Sequence, residues 1–347
     1  MLQWLHSFLA ERTQTVRYRA DTSPPADVTC GVPQGSVLGP LLFILFTADL
    51  IGLVNDHGLS ILMYADDIQL YGSCNPSKKR ELSEQVSSCL DSLICWFRNN
   101  RLLLNTDKSE FMWFASRQRW KSFSSDQVRI GDQLLTPVTS ARCLGVYLDS
   151  DATFSTHITK TVSSCFSVLR QIRSVRRSLN RPLLTTLVSA LVLTRLDYCI
   201  SILQGTSSAQ LKRLQALLNA SARLIFGCSR FSSATALLKA LHWLPIRERI
   251  ERRLATITHS CIKGIAPDYL SSELNRVSGH AGRARLRSAL TSSLLVPRVR
   301  RPTIGSRSFA FAAPKLWNSL PSSIIEVEDL KTFKVLLYKH LLSRSSP

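Results

Sequence analysis

The sequence predicts an α+β fold, with short strands and helices mixed up to about residue 149 and mainly helices after it. Three observations carry this prediction. The apolar pattern changes, from short runs broken by Gly, Pro and Asp to long stretches with apolar residues every three to four positions. The charge changes at the same place: residues 1–150 hold 14 Lys and Arg against 15 Asp and Glu, whereas residues 151–347 hold 30 against 9. The chain is also long, 347 residues with 45% hydrophobic and 20% charged, which excludes a disordered class and gives material for more than one core.

Taken in order, residues 2–10 read as a short helix. Residues 13–19 and 28–31 read as strands around the turn Asp21-Thr22-Ser23-Pro24-Pro25, which makes Asp21 and Asp27 loop residues. Residues 31–40 form a Gly/Pro loop, and 41–53 read as a buried helix carrying Asp49 as a cap or surface residue. Two apolar strands, 59–64 and 68–71, join through Ala65-Asp66-Asp67. Over 80–98, Leu82, Val86, Cys89, Leu90, Leu93, Ile94 and Phe97 share one helical face. Segments 111–115, 128–130 and 143–148 are expected to complete a sheet. Beyond residue 150, helices are expected over 157–179, 182–203, 209–226, 234–241 and 246–262, with Pro182 in a first turn. An Arg-rich linker at about 279–301 and a small unit at 309–342 end the chain. The domains read as 1–149, 150–230 and 231–347.

The net charge of +20 sits in the second half and predicts a polyanionic partner, nucleic acid before anionic membrane. No membrane span is expected, because the longest purely apolar stretch lies near 40–46. The N-terminus lacks the basic start and apolar run of a secretion signal. Nine cysteines stand without a C-x-x-C pair, which speaks against a zinc ribbon and for free thiols in a reducing compartment. The expectation is an intracellular protein, nuclear or cytoplasmic, and not a secreted one.

Two constellations carry chemistry. Tyr64-Ala65-Asp66-Asp67 lies between two apolar strands. At a hairpin tip both carboxylates can reach one site, where a hard divalent cation relieves their repulsion and leaves room for phosphates. The alternative is a solvated Asp-Asp turn, which hairpins commonly use. Cys30-Gly31-Val32-Pro33-Gln34-Gly35-Ser36-Val37-Leu38-Gly39-Pro40 is a rigid loop leading into a helix. Its glycines admit a ligand close to the backbone, and a helix N-terminus favours phosphate.

Together these two segments resemble the nucleotide-pocket motifs of reverse transcriptases, in the wording of the non-LTR, LINE-type retrotransposon branch. Trp96-Phe97 with Leu102-Leu103-Leu104-Asn105-Thr106-Asp107-Lys108-Ser109-Glu110 resembles the next motif, and Arg142-Cys143-Leu144-Gly145-Val146-Tyr147-Leu148-Asp149 resembles the primer grip. Leu196-Asp197-Tyr198, His242-Trp243-Leu244-Pro245-Ile246 and Pro314-Lys315-Leu316-Trp317-Asn318-Ser319-Leu320-Pro321 are also similar to LINE-type proteins. The resemblance implies a partial polymerase palm followed by a helical thumb and a basic C-terminal region. It also implies an RNA-directed DNA polymerase using two Mg²⁺ ions, held by Asp66 and Asp67. Pro33, Gln34 and Gly35 would shape the site for the deoxynucleoside triphosphate. Lys108 would meet the leaving pyrophosphate, with a solvated lysine as the equal alternative. Leu144 and Gly145 would pack under the primer end, with Tyr64 near it or purely structural. RNA template and DNA primer are the implied partners.

The family's third carboxylate, on an earlier strand, has no counterpart here, and the fingers and an upstream endonuclease are absent too. The expectation is therefore the C-terminal part of a longer element or a truncated gene copy, with little or no polymerase activity by itself. In the helical half, Arg170, Arg173, Arg176 and Arg177 fall on successive turns, with 170, 173 and 177 on one face suited to a phosphate backbone. A solvated basic face is the alternative. Arg283, Arg285, Arg287, Arg298, Arg300 and Arg301 read as an RNA-binding arm, a linker or a nuclear-import address. Two functions remain: a reverse transcriptase active within a longer parent, and a non-catalytic RNA- or DNA-binding remnant.

Overall fold

The computed structural model describes residues 2–116, 118, 120, 123, 126–277, 293–299 and 302–344. The chain forms two compact units, Met1–Phe111 with Lys121–Pro137, and Met112–Trp120 with Val138–Pro347. The division by compactness thus falls before the charge step near residue 150.

The first unit starts with α1 (Leu2–Leu9). Next, β1 (Arg12–Gln14) pairs antiparallel with β4 (Ala26–Val28), and β2 (Arg17–Tyr18) pairs with β3 (Asp21–Thr22) inside it. The tip is at Arg19, whose φ of 56° turns the chain. Asp21 and Asp27 are therefore strand residues, opposite Tyr18 and Thr13, and not loop residues as the Pro pair implied. Pro24 and Pro25 instead interrupt the ladder between β3 and β4, where a missing N–H is tolerated.

The helix expected over 41–53 is two helices, α2 (Leu38–Phe46) and α3 (Asp49–Asp56). They break at buried Thr47, whose hydroxyl donates to the Phe43 carbonyl at 2.8 Å. The expected burial holds for one face of α3, where Leu50 and Val54 are inaccessible while Ile51 is exposed, and fails for α2. Leu41, Ile44 and Leu45 are exposed, Leu45 at 72%. No sheet among the described residues is wider than two strands, so none offers a face broad enough to cover α2. Among the described residues, Leu38–Asp56 is also long and apolar enough, by length and composition alone, to cross a membrane, contrary to expectation.

The hairpin β5 (Ser60–Tyr64) and β6 (Asp67–Tyr71) follows. Then α4 (Lys79–Asn99) buries Leu82, Cys89, Leu93 and Phe97 of the predicted face, while Val86, Leu90 and Ile94 are half-buried. The hairpin β7 (Val128–Ile130) and β8 (Gln133–Leu135) packs on α4 through buried Val128 and Ile130. The outward Arg129 between them pairs with Asp91 of α4. Segment 111–115 is not a strand; its one ladder contact is a bridge from Phe111 to Pro137.

The second unit contains β9 (Ser140–Cys143) and β10 (Val146–Asp149), an antiparallel hairpin closing at Leu144-Gly145. Residues 143–148, expected as one strand, are thus a strand end, a turn and a second strand. The sheet expected from these pieces is five separate two-stranded sheets among the described residues. The helices are α5 (Ser155–Val175), α6 (Arg181–Val188), α7 (Thr194–Asp197), α8 (Ser208–Phe226), α9 (Ala234–Ala240) and α10 (Ile246–Ile262). Asn180 caps α6 by accepting the Leu183 N–H at 3.0 Å, and Pro182 occupies the first turn. The helix expected over 182–203 is interrupted by a π-helical turn at Ser189–Leu193 and by Cys199, at φ 51°.

One core unites α5 to α10 around Ile158, Leu169, Val188, Leu217 and Ile225. The short helices α11 (Asp268–Ser271) and α12 (Pro302–Gly305) follow in the chain, and a second core gathers α13 (Phe309–Trp317), α14 (Ser322–Ile325) and α15 (Leu330–Arg344) with Leu254 and Ala255 of α10. At its centre Phe333 stacks on His259 at 4.2 Å and lies 5.8 Å from Trp317. Asn318 accepts the Leu294 N–H at 2.9 Å and donates to its carbonyl at 2.8 Å, pairing like one residue of a strand. Of the Arg-rich run, Arg283, Arg285, Arg287, Arg300 and Arg301 lie outside the described residues, and Arg298 is exposed.

Candidate functional site

The β5–β6 pair puts two carboxylates at its end. Tyr64 and Asp67 are the last cross-strand partners, so Ala65 and Asp66 form a two-residue turn. Ala65 takes φ 52°, a left-handed conformation that an L side chain adopts reluctantly. Asp66 and Asp67 are exposed, and neither has a hydrogen-bond or ion-pair partner among the described residues. Tyr64, at the strand end, is also exposed. Hard carboxylate oxygens suit a divalent cation. No third His, Cys, Asp or Glu joins them in a metal-holding cluster among the described residues, so the donor set is short for a pair of ions.

The Gly/Pro loop is tied at both ends. Arg12 donates to the Gly31 carbonyl at 2.7 Å and to the Cys30 carbonyl at 3.1 Å. Gly35 takes φ 80°, and the Ser36 N–H bonds the Pro33 carbonyl at 3.2 Å, a turn that a side chain at 35 would strain. Ser36 Oγ then accepts the Gly39 N–H at 3.1 Å. Pro40 has no N–H, so the start of α2 offers a phosphate fewer free donors than most helices. Gln34 and Gly35 are exposed and Pro33 is half-buried.

Lys108 ends a 3₁₀ turn, Thr106–Lys108, whose Asn105 side chain accepts the Lys108 backbone N–H at 3.2 Å. Its neighbour Asp107 accepts from Gln133 at 3.2 Å, while the Lys108 side chain is exposed and unpartnered among the described residues. Two clefts lie elsewhere, one beside Arg80, Asp91 and Arg129, the other beside Ser140, Asp149, Asp151 and Thr156. Neither is lined by a residue predicted from sequence.

In the second unit, Leu144 and Gly145 form the β9–β10 turn at φ 45° and 83°. The Tyr198 hydroxyl donates to the Leu144 carbonyl at 2.6 Å. Asp149, almost buried, accepts the Thr156 N–H at 3.2 Å and so caps the first turn of α5. Beside it, burial holds the His157 imidazole below the usual histidine range, and the Asp149 charge offsets this in part.

The arginine face divides. Arg170, Arg173 and Arg177 are exposed, with no acidic partner among the described residues. Arg176 turns inward instead, its Nε donating to the Leu224 carbonyl at 2.9 Å near the end of α8. From residue 152 to residue 247 the sequence has thirteen Lys and Arg and one acidic residue, Asp197. Arg249 binds that Asp197 at 2.7 Å, so the surrounding cations keep their excess.

Sequence reasoning saw the Leu-Asp-Tyr and Trp-Asn motifs without giving their residues roles. Tyr198 meets a turn 54 positions away and Asn318 a backbone 24 positions away. No local periodicity reports such contacts.

The segment that carries the Gly/Pro loop and the Asp66-Asp67 turn is similar to the reverse transcriptases. Residues 1–148 match the family "Reverse transcriptase (RNA-dependent DNA polymerase)". The relatives that the chain resembles are of the LINE type, that of non-LTR retrotransposons. It is similar to the Drosophila melanogaster "Probable RNA-directed DNA polymerase from transposon BS", 30% identical over 72% of this chain and 28% of the relative. The X-element counterpart from the same organism is 29% identical over 81% of this chain and 30% of its own length. The mobile element jockey polymerase of D. melanogaster is 32% identical over 44% of this chain and 17% of its length. The chain thus spans less than a third of these curated relatives. No solved structure matches.

Proposed function

We propose that this chain is the palm-and-thumb portion of an RNA-directed DNA polymerase, holding an RNA template and a DNA primer for extension by deoxynucleoside triphosphates. The observation that supports it best is the Asp66-Asp67 pair, exposed and unpartnered on a two-residue turn, within a segment that matches the reverse transcriptase family. Asp66 and Asp67 would hold the catalytic Mg²⁺, which would supply charge neutralisation at the reacting phosphate. Pro33, Gln34 and Gly35 receive the nucleotide, Lys108 faces the pyrophosphate, and Tyr64, Leu144 and Gly145 meet the primer end. Arg170, Arg173 and Arg177 follow the nucleic-acid backbone. The nine free cysteines support an intracellular, reducing compartment.

With two carboxylates and no third ligand among the described residues, the chain by itself extends primers poorly or not at all. Primer extension with an RNA template, an annealed DNA primer, dNTPs and Mg²⁺ tests this. The expected result is binding of the template–primer without elongation. Robust elongation that disappears in Asp66→Ala would show that two carboxylates suffice. Absence of any template–primer binding would overturn the assignment. The non-catalytic binding remnant has support of its own in the lone acidic residue, Asp197, among thirteen cations. Asp66→Ala separates the two readings through nucleotide capture. It lowers Mg²⁺-dependent dNTP binding if the polymerase reading holds and leaves it unchanged otherwise.

A further inference from the structure

The Leu196-Asp197-Tyr198 motif has an architecture that points to a task. The π-helical turn at Ser189–Leu193 shifts the register of the helix, and α7 then lasts only four residues, Thr194–Asp197. Tyr198 leaves it in an extended conformation (φ −63°, ψ 121°), and Cys199 reverses the chain at φ 51°. The three side chains of the motif go to three different places. Leu196 is 3% exposed, in the helical core. Asp197 accepts from Arg249 Nη1 at 2.7 Å, and Arg249 also donates through Nε to the Leu244 carbonyl at 2.9 Å. Tyr198 lies against the β9–β10 turn.

That turn needs an external support. A two-residue hairpin loop with both φ values positive suits Asn-Gly or Gly-Gly, and here its first residue is leucine, at φ 45°. A branched side chain makes that conformation unfavourable, and the Leu144 carbonyl at the tip lies outside the strand ladder. The Tyr198 hydroxyl satisfies the carbonyl at 2.6 Å. Its ring covers Gly145 so closely that a Cβ there would stand 3.2 Å from the ring edge and 3.4 Å from the hydroxyl oxygen. Gly145 is therefore required twice, by its φ of 83° and by the ring above it.

We infer that Tyr198 is a positioning residue for primer binding: it clamps the Leu144-Gly145 turn in the conformation that receives the primer 3′ end. This rests on the reading of that turn as a primer contact. Asp197, through Arg249, fixes the helix end from which the tyrosine reaches, so the motif links the C-terminal helices to the turn.

The test uses the full chain with Tyr198→Phe, which keeps the ring and removes the hydroxyl, and Tyr198→Leu, which removes both. Hydrogen exchange reads the clamp itself. The amides of Leu144, Gly145 and Val146 are expected to exchange about fivefold faster in Tyr198→Phe, the effect of one ordinary hydrogen bond, while α5 and α8 keep their protection. Binding reads the function. The wild-type chain is expected to prefer an RNA–DNA duplex with a recessed primer 3′ end over a blunt duplex of equal length. Tyr198→Phe is expected to reduce that preference about fivefold and leave blunt-duplex affinity unchanged. Unchanged exchange at the turn in both variants would overturn the clamp. Faster exchange with the preference intact would overturn the positioning role and spare the primer reading. A wild-type chain with no preference for the recessed end would refute the primer reading, and the inference with it. If Tyr198→Leu loses helical structure, Tyr198→Phe alone decides.

Discussion

Arg176 and Arg177 are neighbours with opposite tasks. Arg177 is exposed, whereas Arg176 lies against the end of α8, where a Cβ on Gly227 would come within 1.9 Å of its Nη2. Gly227 itself takes φ 70°, the left-handed cap that ends a helix. Gly227→Ala is expected to cost about 1–2 kcal/mol, from backbone strain and displacement of the guanidinium. In urea unfolding, its effect should add incompletely to that of Arg176→Ala, because both disturb one contact. His157 sets a pH dependence. Its value in the folded chain is lowered, chiefly by burial, so below about pH 6.5 the unfolded chain binds more protons. Its contribution to stability is whole above that pH and is lost as the pH falls towards the folded value. The urea midpoint should therefore fall between about pH 7 and about pH 5, and His157→Gln should flatten part of that fall. An unchanged slope in His157→Gln would place the pH dependence elsewhere.

At the scale of elements, periodicity located most helices and missed what interrupts them. The pattern over 80–98 became α4, which buries four of the seven residues of its expected apolar face and half-buries the rest, because apolar residues at helical spacing have one surface to bury. The pattern over 182–203 continued through positions where a π-turn and a left-handed Cys199 redirect the chain. The π-turn packs on α5 and the chain after Cys199 packs on α10, and both helices lie outside any local window. The strands were less legible. Residues 143–148 read as one apolar run because Leu144 occupies a turn position that ordinarily belongs to Asn or Gly. In the C-terminal core, Phe333 is inaccessible to solvent and stacks on His259. Phe333→Ala should destabilise by about 3–5 kcal/mol in denaturant unfolding, the range for a large aromatic removed from a packed core. A loss below about 1 kcal/mol would mean that α15 does not depend on this contact.

For the molecule as a whole, the charge excess of the second half supports the proposed nucleic-acid partner. The three exposed arginines of α5 and the turn after it carry no acidic counterpart among the described residues. Binding of duplex DNA should weaken steeply with salt, each phosphate contact contributing about 0.9 to the slope of log K against log salt. Replacing Arg170, Arg173 and Arg177 together by alanine should make that slope shallower by about 2 to 3. A slope unchanged within error would mean that this face is only solvated.

The sequence by itself determined the class of this protein, the hairpin that carries Asp66 and Asp67, and the helical character of the basic half. All three depend on residue order and short-range spacing, which a linear text preserves. Tertiary structure decided the rest: that α2 is exposed, that Arg176 serves the fold while its neighbours face solvent, and that Tyr198 supports a turn 54 residues away. Those outcomes depend on which surfaces meet, and contacts between distant segments leave no period or motif in the chain that makes them.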